Sequence, residues 1–314
     1  MVEGSSVFGH TASSLEAAFS DARDLVCVEV FSGAGSIWRA FQGAGFAAAS
    51  FDILDDPMQD VCMEKGFLAL ARLVLRLAPG GLLWVAPMCN SFSWLCMSTT
   101  GRADFNGWAG NLANPNVVRG NHAALVSLFL MRLALGRGVD SIMENPAGST
   151  LWKFLGEAWP FATYQIVTHR CFFEQPPLDG GMKLFKQYRL AGTAAWVTQL
   201  RRKCSCICRP RHRKAAKAVK DKNGKTATSG ERAVLRESGA YPAAMGIAVV
   251  EAWSRGSALA GLSAGSALAG SPALESPSIP SGSAATAPSS NRSRNRSMSS
   301  SGLSMVSSPA LSVD

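Results

Sequence analysis

Short apolar runs alternate with stretches of helical spacing between residues 25 and 253, and glycines fall where one pattern gives way to the other. Leu25 to Phe31 reads as a buried strand, Ile37 to Gln42 begins a helix, and Phe46 to Ile53 is the next strand. Apolar residues recur at helical spacing from Gly66 to Leu77, Pro79-Gly80-Gly81 interrupts them, and Leu82 to Ala86 is a strand. Asn121 to Leu135 is a strong helix, Gly138 a break, and Val139 to Met143 another strand. Phe161 to Thr168 and Tyr188 to Gly192 are late strands, and a last helix runs to Trp253. Strand–helix alternation with glycines at strand ends predicts an α/β fold: a doubly wound, mostly parallel, Rossmann-like sheet with its site at the carboxyl edge.

Outside this region the pattern stops. From Ser254 onward the chain is almost all Ser, Ala, Gly, Pro and Leu, with Gly-Ser-Ala-Leu-Ala-Gly at both 256–261 and 265–270. Such a segment buries too little apolar surface to offset its ordering entropy, so 256–314 is expected to be a disordered tail and 1–22 a flexible lead-in. The expected core spans 23–200, followed by a basic, Cys-containing insertion at 201–230 and a helix at 231–255 that completes the core. The longest apolar stretches, 66–86 and 123–136, are broken by Arg72, Arg76 and Arg132 and do not read as membrane spans. The first thirty residues lack a secretory pattern, and the eight cysteines do not form a disulfide framework, so a soluble monomer of a reducing compartment is expected.

Charge is concentrated. Residues 201–225 hold eleven Lys or Arg against Asp221 alone, which accounts for the whole net charge of +9. Arg201, Arg202, Lys203, Arg209, Arg211, Arg213 and Lys214 are candidate contacts to nucleic-acid phosphate, and the same run could serve as a nuclear-import signal or be a solvated loop. Cys204, Cys206, Cys208 and His212 lie in this run and are weak candidates for zinc; Cys-x-Cys-x-Cys lacks the usual ligand spacing, so the expectation is no metal.

Three segments carry the candidate chemistry. Phe31-Ser32-Gly33-Ala34-Gly35 places glycines where a chain leaving a strand must turn sharply and approach a ligand. Asp52 closes the next strand, where a carboxylate can accept from a ribose diol. Pro87-Met88-Cys89-Asn90-Ser91-Phe92-Ser93 puts a cysteine on a proline-stiffened loop beyond a strand, and Glu144-Asn145-Pro146 follows another strand.

Taken in order, these segments resemble the motifs of the DNA cytosine-C5 methyltransferases, a family with the class I methyltransferase fold. The resemblance covers residues 25–255 and implies S-adenosylmethionine as cofactor, held by Phe31, Ser32, Gly33, Ala34, Gly35, Asp52, Asp60 and Pro87. It implies Cys89 as the nucleophile at cytosine C6, Glu144 as the acid at N3, Asn145 as a brace for the nucleophile loop, and Arg189 on the base carbonyl. Arg102, in the loop after Cys89, is placed near the site or on phosphate. Ser36, Met88, Asn90 and Pro146 depart from the family pattern. DNA stands ahead of RNA as substrate, because the RNA-acting branch's Cys-Phe-Thr-x-x-Tyr has only the echo Cys171-Phe172-Phe173. An inactive, methyltransferase-like nucleic-acid-binding module is the third reading. The basic run suggests the nucleus.

Overall fold

The computed structural model describes residues 22–156, 159, 162–174, 182–204, 212–214, 217–220, 226–229 and 232–257. The lead-in, the tail, Cys206, Cys208, Arg209 and Arg211 lie outside the described residues. Six strands form the main sheet: β1 (Leu25–Val30), β2 (Ala48–Phe51), β3 (Leu77–Val85), β4 (Asp140–Pro146), β5 (Tyr164–His169) and β7 (Gln187–Gly192). Their order is β2-β1-β3-β4-β7-β5, parallel through β4, with β7 antiparallel to both β4 and β5. Because β2 lies on one side of β1 and β3 on the other, the strand order reverses there and opens a crevice at their carboxyl ends.

Successive strand residues serve opposite faces, and both faces are covered. Val28, Val30, Leu83, Val85 and Met143 pack beneath Leu70 and Val74 of α2 (Glu64–Leu75) and Ala123 and Leu130 of α3 (Pro115–Gly136). Cys27, Leu82, Trp84 and Ile142 face Ile37 and Phe41 of α1 (Ser36–Gly43) and Val249 and Trp253 of α5 (Ala243–Gly256). Helices α1 and α5 meet closely, since a Cβ on Gly246 would lie 2.1 Å from Ser36 O.

Helix α3 begins six residues ahead of the expected start, where Asn114 Oδ1 accepts from Asn116 N at 3.0 Å and Pro115 occupies the first turn. Pro79-Gly80-Gly81 does not precede β3 but lies within it, as an irregularity: Leu25 pairs with Leu77, and two residues later Cys27 pairs with Leu82. The expected closing helix is two, α4 (Arg232–Gly239) and α5, and their link carries Tyr241. In the basic region, β6 (Leu184–Phe185) pairs with β8 (Arg213–Lys214), and β9 (Lys217–Lys220) is antiparallel to β10 (Thr226–Ser229). No helix among the described residues is long and apolar enough to cross a membrane.

Candidate functional site

The turn after β1 is held from below and from the side. Glu29 is fully buried, and its Oε2 accepts from Ile37 N at 3.1 Å and Trp38 N at 2.9 Å, capping α1. Asp52 Oδ2 accepts from Gly33 N at 2.8 Å and Oδ1 from Leu54 N at 2.8 Å, so this carboxylate ties the ends of β1 and β2 together. Phe31, Gly33 and Gly35 all have positive φ (58°, 52° and 67°). Phe31 is one of two non-glycine residues so placed among the described residues, so the exit from β1 carries backbone strain at the crevice.

Burial pushes the Glu29 carboxyl up to about 8, against the two α1 amides that favour its anion. Its folded-state pKa thus lies above the ordinary 4.5. Below 4.5 both folded and unfolded chains hold the proton; as pH rises from there towards 8 the unfolded chain ionises first and stability falls. Denaturant titrations at about pH 5 and about pH 9 are expected to differ by a few kcal/mol, and Glu29→Gln, which keeps the acceptor, to reduce that difference, the remainder coming from groups such as Glu144 that burial raises in the same sense.

The cysteine loop leaves β3 between two fixed points. Ala86 N donates to Val30 O at 3.1 Å, and Asn145 Nδ2 donates to Pro87 O at 2.7 Å, a hydrogen bond from β4 to the loop. Cys89 then sits at the head of a short 3-10 turn, Asn90–Phe92. Arg102 secures the far side. It is buried, donates to Ser91 O at 2.7 Å, Ser91 Oγ at 2.9 Å and Trp108 O at 2.6 Å, and stacks 3.7 Å from the Phe92 ring centroid. Arg102 thus lies beside the cysteine loop, and burial corrects the phosphate alternative: it is a structural brace, its pKa lowered by burial to about 10. Arg102→Ala would strand these buried acceptors and is expected to cost about 2–5 kcal/mol in denaturant titrations. The salt dependence of nucleic-acid binding should not change.

Cys89, Glu144 and Asn145 line one cavity of ≈ 300 Å³ at the carboxyl ends of β1, β3 and β4, together with Phe31, Ser32 and Pro87. Tyr241 and Lys186 complete its wall. Glu144 Oε2 accepts from the Tyr241 hydroxyl at 2.7 Å, and the Tyr241 link is itself held by Ser36 Oγ, which donates to Tyr241 O at 2.8 Å. Arg170, buried beside it, donates to Tyr188 Oη at 3.2 Å and to Ala240 O. Lys186 Nζ donates to Ser238 O at 2.8 Å. Three buried polar atoms on this one cavity, Ser32 Oγ, Glu144 Oε1 and Asn145 Oδ1, have no hydrogen-bond partner among the described residues. Buried polar groups are normally satisfied, so this concentration marks a place built for a polar ligand. A second cavity of ≈ 310 Å³, lined by Ser93, Trp94, Ser149 and Gln187 among others, shares Cys89, Pro146 and Lys186 with the first.

Electrostatics set the two reactive groups apart. Burial raises the Cys89 thiol above its ordinary pKa, Lys186 lowers it, and Glu144 raises it further. The lowered thiol pKa expected for a nucleophile is therefore absent in the protein alone. Burial also raises the Glu144 carboxyl, against Lys186 and the Tyr241 hydroxyl, which favours the protonated acid.

No protein-family model matches the chain, and no curated protein matches it. Among solved structures it is similar to the Dnmt2 methyltransferase of S. pombe, with 14% identity, a TM-score of 0.30, and coverage of 54% of this chain and 49% of that one. It is also similar to the methyltransferase EhMeth of Entamoeba histolytica, with 16% identity, a TM-score of 0.32, and coverage of 62% of this chain and 58% of that one. The chain thus spans about half the length of these proteins. Likenesses this distant carry no argument about activity, which rests on the cavity.

The remaining expected residues fall elsewhere. Ala34 is exposed on the turn. Asp60 accepts from Cys62 N at 2.9 Å and pairs with Arg119 at 2.9 Å; burial works to raise its pKa, but these partners outweigh it and lower the carboxyl. Neither Asp52 nor Asp60 is among the cavity's lining residues. Arg189 is not in the cavity either: it donates to Gln165 Oε1, stacks 4.9 Å from the Trp152 ring centroid, and shares a separate hollow with Arg201 and Lys203. Lys186, three residues earlier, is the cation that faces Cys89 and Glu144. Arg202 donates to Gln199 O at 2.8 Å, Arg213 pairs with Glu237, and Lys214 is exposed. Neither Lys186 nor Tyr241 is among the expected site residues, although Lys186 opens the Lys186-Gln187-Tyr188-Arg189 element read for its arginine and Tyr241 lies in Gly239–Gly246, which loosely resembles the family's last motif.

Proposed function

We propose that the chain is an S-adenosylmethionine-dependent methyltransferase acting on C5 of cytosine in nucleic acid, with DNA ahead of RNA as substrate. The observation that carries this reading is the convergence of a loop thiol, a buried carboxyl and three unsatisfied polar atoms on one crevice where the strand order reverses. The residues fit the cofactor. Ser32 Oγ is an unsatisfied hydroxyl on the crevice wall, the positive-φ turn exposes Gly33, and each Asp52 oxygen keeps a lone pair beyond its backbone bond. Phe31, Ser32 and Pro87 would hold it from the cavity wall, with Gly33 and Asp52 beside them. When bound, S-adenosylmethionine supplies an electrophilic methyl group.

The chain's own residues do the rest. The Cys89 thiolate adds to C6 of a cytosine lifted from its helix, and Glu144 delivers a proton to N3 as electrons move onto the ring. The enamine so formed makes C5 nucleophilic. Lys186 favours the thiolate, Tyr241 holds one oxygen of Glu144, and Asn145 keeps the loop against β4. A solvent water then takes the C5 proton, the electron pair re-forms the C5–C6 double bond and expels the Cys89 thiolate, and N3 returns its proton to Glu144.

The hollow shared by Arg189, Arg201 and Lys203 gives a basic surface suited to phosphate. Cys171 does not line the Cys89 cavity, which leaves the RNA branch without its second cysteine there. Protein incubated with labelled-methyl S-adenosylmethionine and either duplex DNA or tRNA, with products digested to nucleosides, tests the reading. 5-Methylcytosine in the DNA arm is expected. Label only in RNA would move the substrate, and label in neither would make the chain a binding module. If two or three of these cations neutralise phosphates, affinity should fall with salt at about 0.9 decade per contact on a logarithmic plot. Arg201→Ala with Lys203→Ala should flatten that slope.

A further inference from the structure

Away from the cavity, the Cys171 and Cys204 sulfurs and a ring nitrogen of His212 all lie within 4.8 Å of one another. They come from three separate places: the helical turn Arg170–Phe173 after β5, the chain leaving the 3-10 segment Ala195–Leu200, and the residue before β8. Cys171 is fully buried, while Cys204 and His212 are partly buried. Cys204 Sγ lies 3.6 Å from His212 Nε2. With zinc–sulfur and zinc–nitrogen bonds of about 2.3 and 2.0–2.1 Å, a tetrahedral ion would hold the two atoms about 3.6 Å apart.

We propose that Cys171, Cys204 and His212 form a structural zinc site, with the fourth tetrahedral position taken by a further donor. Two thiolates and an imidazole are the donor set that suits this borderline-soft cation, and binding releases the two thiol protons. The surroundings support the ligands. Cys204 N donates to His169 Nδ1 at 3.1 Å, Lys183 Nζ donates to Cys171 O at 3.1 Å, and the His212 ring packs 5.7 Å from the Phe185 ring. The ion would fasten the start of the basic segment to the turn that follows the edge strand β5. This gives the segment's Cys204 and His212 a task that the proposed methyl transfer leaves open, and it revises the expectation of no metal. The sequence spacing pointed away from zinc because one ligand, Cys171, lies more than thirty residues upstream, where it reads as a core cysteine.

The test uses the full chain, purified under reducing conditions from zinc-replete cells, with metal content measured by mass spectrometry. About one zinc per chain is expected, falling below about a tenth in Cys171→Ser and in Cys204→Ser and unchanged in Cys96→Ser. Cobalt added to the chelated wild type should give the visible bands of a tetrahedral thiolate-ligated ion, which zinc then erases, so the result does not depend on the variants folding. Chelation should also speed proteolytic cutting in the basic segment. Wild type without zinc and without the tetrahedral cobalt spectrum overturns the proposal. So does zinc retained in both cysteine variants, or a Cys171–Cys204 disulfide in the purified chain. Cys89→Ser should keep its zinc, which separates this site from the methyl-transfer reading.

Discussion

Cys89→Ser is expected to lower methyl transfer by about 10³-fold or more, a barrier increase of roughly 4 kcal/mol at ~1.4 kcal/mol per decade. The reasoning starts from the base. Cytosine C5 attacks a methyl group only after C6 has been saturated by a nucleophile, and among the described residues no other thiol lines the cavity of ≈ 300 Å³. A serine hydroxyl in the same place is far less acidic than a thiol and stays protonated. The substitution leaves the Asn145–Pro87 hydrogen bond and the Arg102 brace untouched, because both act on neighbouring atoms. Cofactor and nucleic-acid affinities and thermal stability should therefore stay close to wild type. A variant that lost binding or stability in step with activity would show that Cys89 is a packing residue.

Glu144→Gln should lower turnover by about 10²–10⁴-fold and change the shape of the pH profile. The productive form pairs a Cys89 thiolate with a protonated Glu144. Both groups are raised by burial, the thiol from 9.0 and the carboxyl from 4.5. Activity of the wild type should climb while the thiolate grows at low pH, hold level between the two pKa values, and fall above the thiol pKa as the acid is lost. Glutamine has no proton to lose. The variant's small remaining rate should rise monotonically through the thiol pKa, and the alkaline fall should vanish. An alkaline fall that persists in the variant would place the acid elsewhere. Tyr241→Phe removes the hydroxyl that favours the Glu144 anion, so the acid should hold its proton to higher pH.

The parts of this site that can be read from the sequence share one physical property. Phe31–Gly35 and Pro87–Cys89 lie just beyond β1 and β3, and Glu144–Asn145, expected beyond its strand, lies in the last residues of β4, paired with Leu190 and Arg189; the apolar runs alone place all three at one sheet edge. The parts that cannot be read arrive from other layers. Tyr241 reaches Glu144 across 97 residues, from a link whose path depends on α5 packing against α1 through Gly246. Arg189 and Lys186 differ by three residues, and strand geometry at β7 decides between them: Arg189 stands opposite Asn145 and Val167 and turns to Gln165 and Trp152. Arg102 reads as a surface cation in a long loop, and only the fold shows the carbonyls that enclose it. Pro79-Gly80-Gly81 signals a break, but the backbone absorbs it as a bulge, with Gly80 N donating to Gly138 O at 2.6 Å.

The most direct test of the central claim is covalent trapping. Wild type and Cys89→Ser are mixed with S-adenosylmethionine and pools of DNA or RNA containing 5-fluorocytosine, whose fluorine blocks release of the C5 substituent and so holds the adduct. A denaturation-resistant complex with DNA is expected for wild type, none for Cys89→Ser, and a tryptic peptide carrying the base on Cys89. Absence of an adduct with either nucleic acid, under conditions where both cofactor and nucleic acid bind, would contradict the central claim.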